Sequence, residues 1–146
     1  MIELKARTKI SKNVYYYELI QSATAKKKGI VNVVTDVQIL ANCIAIAKNI
    51  YEPVRAHFGL AIAISSFYRN PVLNTAVGGS RYSQHRKGEA IDLNGNKWGG
   101  VSNKAIFEFI RDNLEYDQLI NEYNYSWVHV SYKLSGKNRK QIKIIT

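Results

Sequence analysis

Three side chains of this sequence could share one metal ion. His85 and Asp92 lie in S-Q-H-R-K-G-E-A-I-D-L (83–93), and His129 lies downstream in W-V-H-V-S (127–131). Gly88 reads as the turn that feeds the small-apolar run Ala90-Ile91, which in turn leads into the aspartate. An imidazole from the turn and a carboxylate from a buried strand can then point into one cavity. Two ligands do not hold a catalytic zinc, which takes three protein ligands and leaves its fourth position to water. His129, in a strand-forming run, is the candidate third. Spacing alone leaves the ordinary alternative open: a histidine in a strand is more often a satisfied core or surface residue, and an isolated H-x6-D match arises by chance. We read His85, Asp92 and His129 as a His-Asp-His zinc site and take the rest of the chain against that proposal.

The elements that must position these residues follow from periodicity. Residues 2–11 suit a short strand or an arm, and Ser11 or Asn13 could cap a short helix through Tyr17-Glu18-Leu19-Ile20. Residues 22–29, with lysines at 26–28 and a closing Gly29, read as a solvated connection. Apolar residues then recur at Val37, Leu40, Ile44, Ala47, Tyr51, Val54 and Phe58, at helical spacing. Thr35 suits the N-cap of that helix, Gly59 its stop, and Pro53 should bend or split it near Tyr51. The run L-A-I-A-I-S-S (60–66), apolar on both faces, predicts a central strand. Helix followed by strand against one core indicates an α+β fold, a small antiparallel sheet carrying the zinc site and packed against helices.

Asn70-Pro71 then predicts the start of a short helix that ends before Gly78-Gly79. Arg69 stands at this strand-to-helix junction, where a side chain can reach a cleft, although a surface arginine fits equally. Residues 95–100 read as a loop, and Ser102 caps a helix to about Asn113. Two strands at 116–123 and 127–132 form a hairpin around Asn124-Tyr125. With a two- or four-residue loop, Glu122 faces Trp127 and Ile120 faces His129, so Glu122, Trp127 and His129 share a face. Glu122 is then placed to act as a base; without a metal it is simply a glutamate at a hairpin end. The basic tail (133–146) suits an edge strand or a wall-binding arm.

Composition bounds the classes. The length of 146 residues suits one domain, 1–146. No apolar run approaches the roughly 20 residues of a membrane span, so no transmembrane segment is expected. No secretory signal peptide is visible. With a single cysteine, Cys43, no internal disulfide can form, and its place on an apolar helix face suits core. Twenty-one Lys and Arg against eleven Asp and Glu give a net charge of +10, which attracts polyanions: nucleic acid, anionic membrane, or an acidic cell wall. The basic residues are scattered rather than lined along one helix, and no nucleic-acid-binding motif is present, so specific nucleic-acid binding is not expected.

With those residues placed, the sequence resembles the zinc D-Ala-D-Ala carboxypeptidase-like peptidoglycan peptidases, and within them the small single-domain, phage endolysin-like branch. S-S-F-Y-R-N-P-V-L-N (65–74), V-G-G-S (77–80), the 83–93 and 127–131 segments, and E-P-V-R-A-H-F-G (52–59) carry the likeness, in the same order. The resemblance implies that His85, Asp92 and His129 hold Zn2+. It also implies that Arg69 contacts a substrate carboxylate or carbonyl and the developing oxyanion, and that Ser83 hydrogen-bonds near the site. Several relatives place an acidic residue three positions before the last histidine, where this chain has Ser126. In the small branch a glutamate on the preceding strand takes that role, which points to Glu122 as general base, with Asp117 as the fallback. The function implied is zinc-dependent hydrolysis of peptidoglycan peptide bonds, as a carboxypeptidase or an endopeptidase, by a monomer. The absence of a visible signal peptide fits an enzyme that stays in a host cytoplasm before release to the wall, or one carried by a virion. The alternative is a non-catalytic wall- or virion-associated binding module on the same fold, which Ser126 keeps open.

Overall fold

The computed structural model describes residues 2–146. The chain forms an α+β fold around one five-stranded, mostly antiparallel sheet. The strands are β1 (Ala63–Ser66), β2 (Ala90–Asn94), β3 (Gln118–Glu122), β4 (Trp127–Ser131) and β5 (Gln141–Ile145), in the spatial order β1-β2-β4-β3-β5. All neighbours pair antiparallel except β3 and β5, which run parallel. The tail therefore supplies an edge strand, one of the two forms expected of it.

Alternation along the strands divides the sheet into a core face and a site face. Ile91 and Leu93 of β2, Val128 and Val130 of β4, and Leu119 of β3 are completely buried on the core face. They pack with residues of α3 (Val37–Ile46), α4 (Glu52–Phe58) and α6 (Asn103–Asn113). The residues between them, Asp92, His129 and Ile120, form a transverse row on the opposite face, with Ser66 of β1 at one end. Each metal candidate on the sheet thus sits between two side chains whose burial fixes its register. A one-residue slip would bury the aspartate in the helix-packed core.

Four expectations need correction. The 60–66 run does not make a central strand: β1 stands at the sheet's edge. Its free side is capped by other groups, since Gln21 Nε2 donates to Ile64 O (3.2 Å), Tyr68 N donates to Leu19 O (2.8 Å) and Tyr51 Oη donates to Ile62 O (2.7 Å). Residues 22–29 are not a bare connection but carry a short helix, α2 (Ala23–Lys28). The Ser22 hydroxyl accepts from Ala25 N, and the lysines remain in solvent. Neither Ser11 nor Asn13 caps α1 (Tyr16–Ile20); Tyr15 is its N-cap, while Ser11 and Asn13 both bind the Glu52 carboxylate. Asp36, rather than Thr35, caps α3, accepting from Gln38 N at 2.7 Å.

Pro53 acts as anticipated, by an unanticipated route. It lies in the first turn of α4, and the turn before it, Ala47–Tyr51, widens into a π-helix. A proline cannot donate to the carbonyl four residues back, and the widened turn absorbs that missing bond without a sharp break.

Candidate metal centre

The His85 imidazole is delivered by a 3-10 turn, Gln84–Lys87, that is seated on α3. Asn42 of α3 donates to Lys87 O at 2.9 Å. Gly88 ends the turn with φ +72°, and a Cβ there would come within 2.7 Å of Cys43 Sγ and 2.8 Å of Ile39 O. Glycine is needed twice over, for the left-handed backbone and for the close approach. Cys43 is fully buried beneath this turn, and burial pushes its thiol up to about 12, so it serves as core, as its helix face suggested.

Downstream of β1 the chain turns alongside this element. A register irregularity between Ile64 and Ser66 shifts the strand, and Phe67 O then lies 2.6 Å from His85 Nδ1. A carbonyl only accepts, so His85 Nδ1 donates to it, and Nε2 is the ring nitrogen left to face Asp92 or a metal. Arg69 N donates to His85 O at 3.1 Å, which sets the arginine beside the same turn. Asn32 holds this stretch from behind, donating to Tyr68 O (2.9 Å) and accepting from Asn70 N (2.9 Å).

The three sequence-identified candidates converge. His85 Nε2 lies 3.3 Å and His129 Nδ1 3.0 Å from Asp92 Oδ1, and one donor atom from each residue falls within 4.8 Å of the others. Zinc bonded tetrahedrally at about 2.0–2.1 Å separates its ligand atoms by roughly 3.3 Å, so the donor set and its spacing fit a divalent metal. Burial alone would raise the Asp92 pKa, but the charges and hydrogen bonds of His85 and His129 outweigh it and hold the carboxyl well below the usual range. The aspartate is therefore an anion, as a metal ligand must be.

A cavity of about 450 Å³ opens over this triad, and Arg69, Ser83, Glu122, Tyr123 and Trp127 line it. Arg69 is half-buried, and its guanidinium contacts only Ser66 Oγ and Ser83 Oγ, each at 3.5 Å; its buried Nε has no partner among the described residues. An under-satisfied buried guanidinium is disposed to take an oxygen ligand. The hairpin register is as expected, Glu122 opposite Trp127 and Ile120 opposite His129. Trp127 Nε1 donates to Glu122 Oε2 at 2.9 Å and so orients the carboxylate. Asp117, the fallback base, is completely buried and bound by Arg139 at 2.8 and 2.9 Å, which leaves it no route to a reacting water. Ser126 donates to Tyr123 O and is likewise committed.

Two structural supports escaped the sequence reading. The hairpin loop holds Tyr123, Asn124 and Tyr125 at φ 51°, 54° and 60°, a left-handed stretch that costs roughly 1–2 kcal/mol per non-glycine residue. Asn103 clamps it: the buried amide donates to Tyr125 O (2.9 Å) and Ser126 O (3.1 Å), while its carbonyl accepts from Gly95 N (2.8 Å). A polar residue on the inner side of the amphipathic α6 was the available signal. Replacing Asn103 with alanine orphans these buried groups, and a loss of about 2–4 kcal/mol in denaturant unfolding is expected. Unchanged stability would remove the clamp from the account.

Asp117 is the second support. Its carboxylate accepts from Arg139 N, Nε and Nη2 and from Gln84 Nε2 (3.1 Å), tying the tail to the residue beside His85. The Arg139 side chain is the chief cause that lowers its pKa to about 2. A depressed carboxylate stabilises the fold fully above its unfolded value near 3.9, and that contribution is lost as pH falls through about 2. Acid titration of Asp117→Asn should therefore show a shallower loss of stability than wild type between about pH 4 and 2. Parallel curves would contradict this.

The 3-10 turn that carries His85 and the sheet that carries Asp92 and His129 thus present two imidazoles and a carboxylate to an open cavity, with an arginine and a glutamate beside them, a donor set that could hold a metal ion. The family model described as Peptidase M15 matches residues 12–131, and the chain belongs to that family. It is by that membership a metallopeptidase. No curated protein matches the chain significantly. No helix among the described residues is long and apolar enough to cross a membrane.

Proposed function

We propose that the protein is a zinc peptidase that hydrolyses peptide bonds of bacterial peptidoglycan, with His85 Nε2, Asp92 and His129 Nδ1 as the metal ligands. The observation that carries this reading is the convergence of those three donors within 4.8 Å at the floor of an open cavity, in a chain of the M15 family. When bound, zinc supplies Lewis acidity and lowers the pKa of water at its open position toward about 7. The remaining work falls to side chains. Glu122, oriented by Trp127, takes the proton of the attacking water and returns it to the leaving amine. Arg69 binds a substrate carbonyl or carboxylate and offsets charge developing on the carbonyl oxygen. Ser83 accepts from His85 N at 3.2 Å and stands beside Arg69, so it shapes the substrate side of the turn.

The net charge of +10 favours encounter with a polyanionic wall, which suits a phage lysis or wall-remodelling enzyme acting as a monomer. Metal analysis of the purified protein, joined to mass spectrometry of digested peptidoglycan, tests the proposal. About one zinc per chain and new amine ends at a single type of peptide bond are expected. Zinc without any hydrolysis would instead indicate a wall- or virion-associated binding module.

A further inference from the structure

The groove does not stop at the metal candidates. A second hollow of about 280 Å³ lies next to it, and His129 lines both. Gln84, Lys87 and Glu89 of the His85 turn form one wall, and Lys133 and Arg139 form the other. Those last two residues lie beyond 131, where the family match ends, so this wall is a contribution of this chain's own tail.

The wall is built rather than loose. Lys133 N donates to Asn138 Oδ1 at 2.8 Å and Gly136 N donates to Lys133 O at 3.0 Å, closing the 133–138 turn. Arg139 is fastened to Asp117, and Lys140 N donates to Tyr116 O at 2.9 Å. Charge is unevenly matched across the hollow. Arg139 spends Nε and Nη2 on buried Asp117, and Gln84 Nε2 hydrogen-bonds both Asp117 (3.1 Å) and Glu89 (3.4 Å). Lys87 and Lys133 pair with no carboxylate among the described residues, and Lys133 is half-buried. Two lysines without an ion-pair partner, against the single Glu89 carboxylate, leave the lining of this polar hollow net positive and favour an anion, and an extended peptide crossing the metal candidates could reach from one hollow to the other.

We propose that this hollow is a second subsite of the active-site groove, which receives a carboxylate carried by the peptide substrate beside the scissile bond, and that Lys87 and Lys133 determine its specificity. The proposal rests on the peptidase reading above. Zinc-loaded Glu122→Gln protein, silenced for hydrolysis, is titrated calorimetrically with a soluble stem tetrapeptide bearing free carboxylates and with its amidated analogue. The free acid should bind at least about tenfold more tightly, and Lys87→Gln with Lys133→Gln should cut that preference to the part that Arg69 supplies, while leaving affinity for the amide unchanged. Equal binding of acid and amide, or a preference undiminished in the lysine variant, overturns the subsite. So does glycerol phosphate binding that is lost in the variant, which would assign the hollow to a wall polymer's phosphate. Incubating unaltered protein with the same peptide separates the two readings: acid preference without hydrolysis removes the peptidase and keeps the subsite, and hydrolysis without preference does the reverse.

Discussion

Replacing Asp92 with asparagine is expected to abolish stoichiometric metal binding and, with it, peptide hydrolysis. The carboxylate is the one anion of the triad, and its Oδ1 stands 3.3 and 3.0 Å from the two imidazole nitrogens. Asparagine keeps the shape and removes the charge, so the fold should survive: Ile91 and Leu93, on either side, still bury in the core. Loss of a residue that merely orients a ligand typically costs about 10–100-fold in metal affinity, and loss of a ligand itself should exceed that. Elemental analysis after dialysis, beside circular dichroism of the same sample, reads both outcomes. A folded Asp92→Asn protein that retains full metal content would place the ion elsewhere.

The second large effect is that of Glu122→Gln. Glutamine can still accept from the Trp127 indole through its carbonyl oxygen, so the hairpin and the metal content should be unchanged. It cannot accept the proton of an attacking water, and general-base catalysis contributes about 10²–10⁴-fold. Turnover should fall by that factor with little change in KM. Because Asp117 is sealed by Arg139 and Ser126 is bound to Tyr123 O, no neighbouring group is placed to substitute. Wild-type turnover in this variant would remove Glu122 from the chemistry.

These two residues also show what can be read from a linear chain. Asp92 and His129 were legible because each sits at the polar position of a strand whose neighbours are apolar, and that alternation survives any long-range arrangement. Glu122 was legible because a hairpin is local: a four-residue loop sets Glu122 against Trp127 and Ile120 against His129. The edge placement of β1 was not. Ala63 and Ile64 are buried on opposite faces, as a central strand's residues are, but the strand's free side is closed by Gln21 and by Leu19 O, more than forty residues earlier in the chain. Burial states nothing about which partner occupies a strand's hydrogen-bonding edge. Nor could periodicity reveal that Arg139 would fasten the tail to Asp117, since that pair joins residues whose apposition depends on the parallel β3–β5 pairing. The loop partners of Asn103 were hidden because they lie more than twenty residues further along the chain, although its polar side chain on the inner side of α6 was a signal.

Anomalous diffraction at the zinc edge from crystals of the metal-loaded protein tests the central claim most directly. The account predicts one strong peak at about 2.0–2.2 Å from His85 Nε2, His129 Nδ1 and an Asp92 oxygen. A peak bound by other side chains, or none in a protein that hydrolyses its substrate, would contradict it.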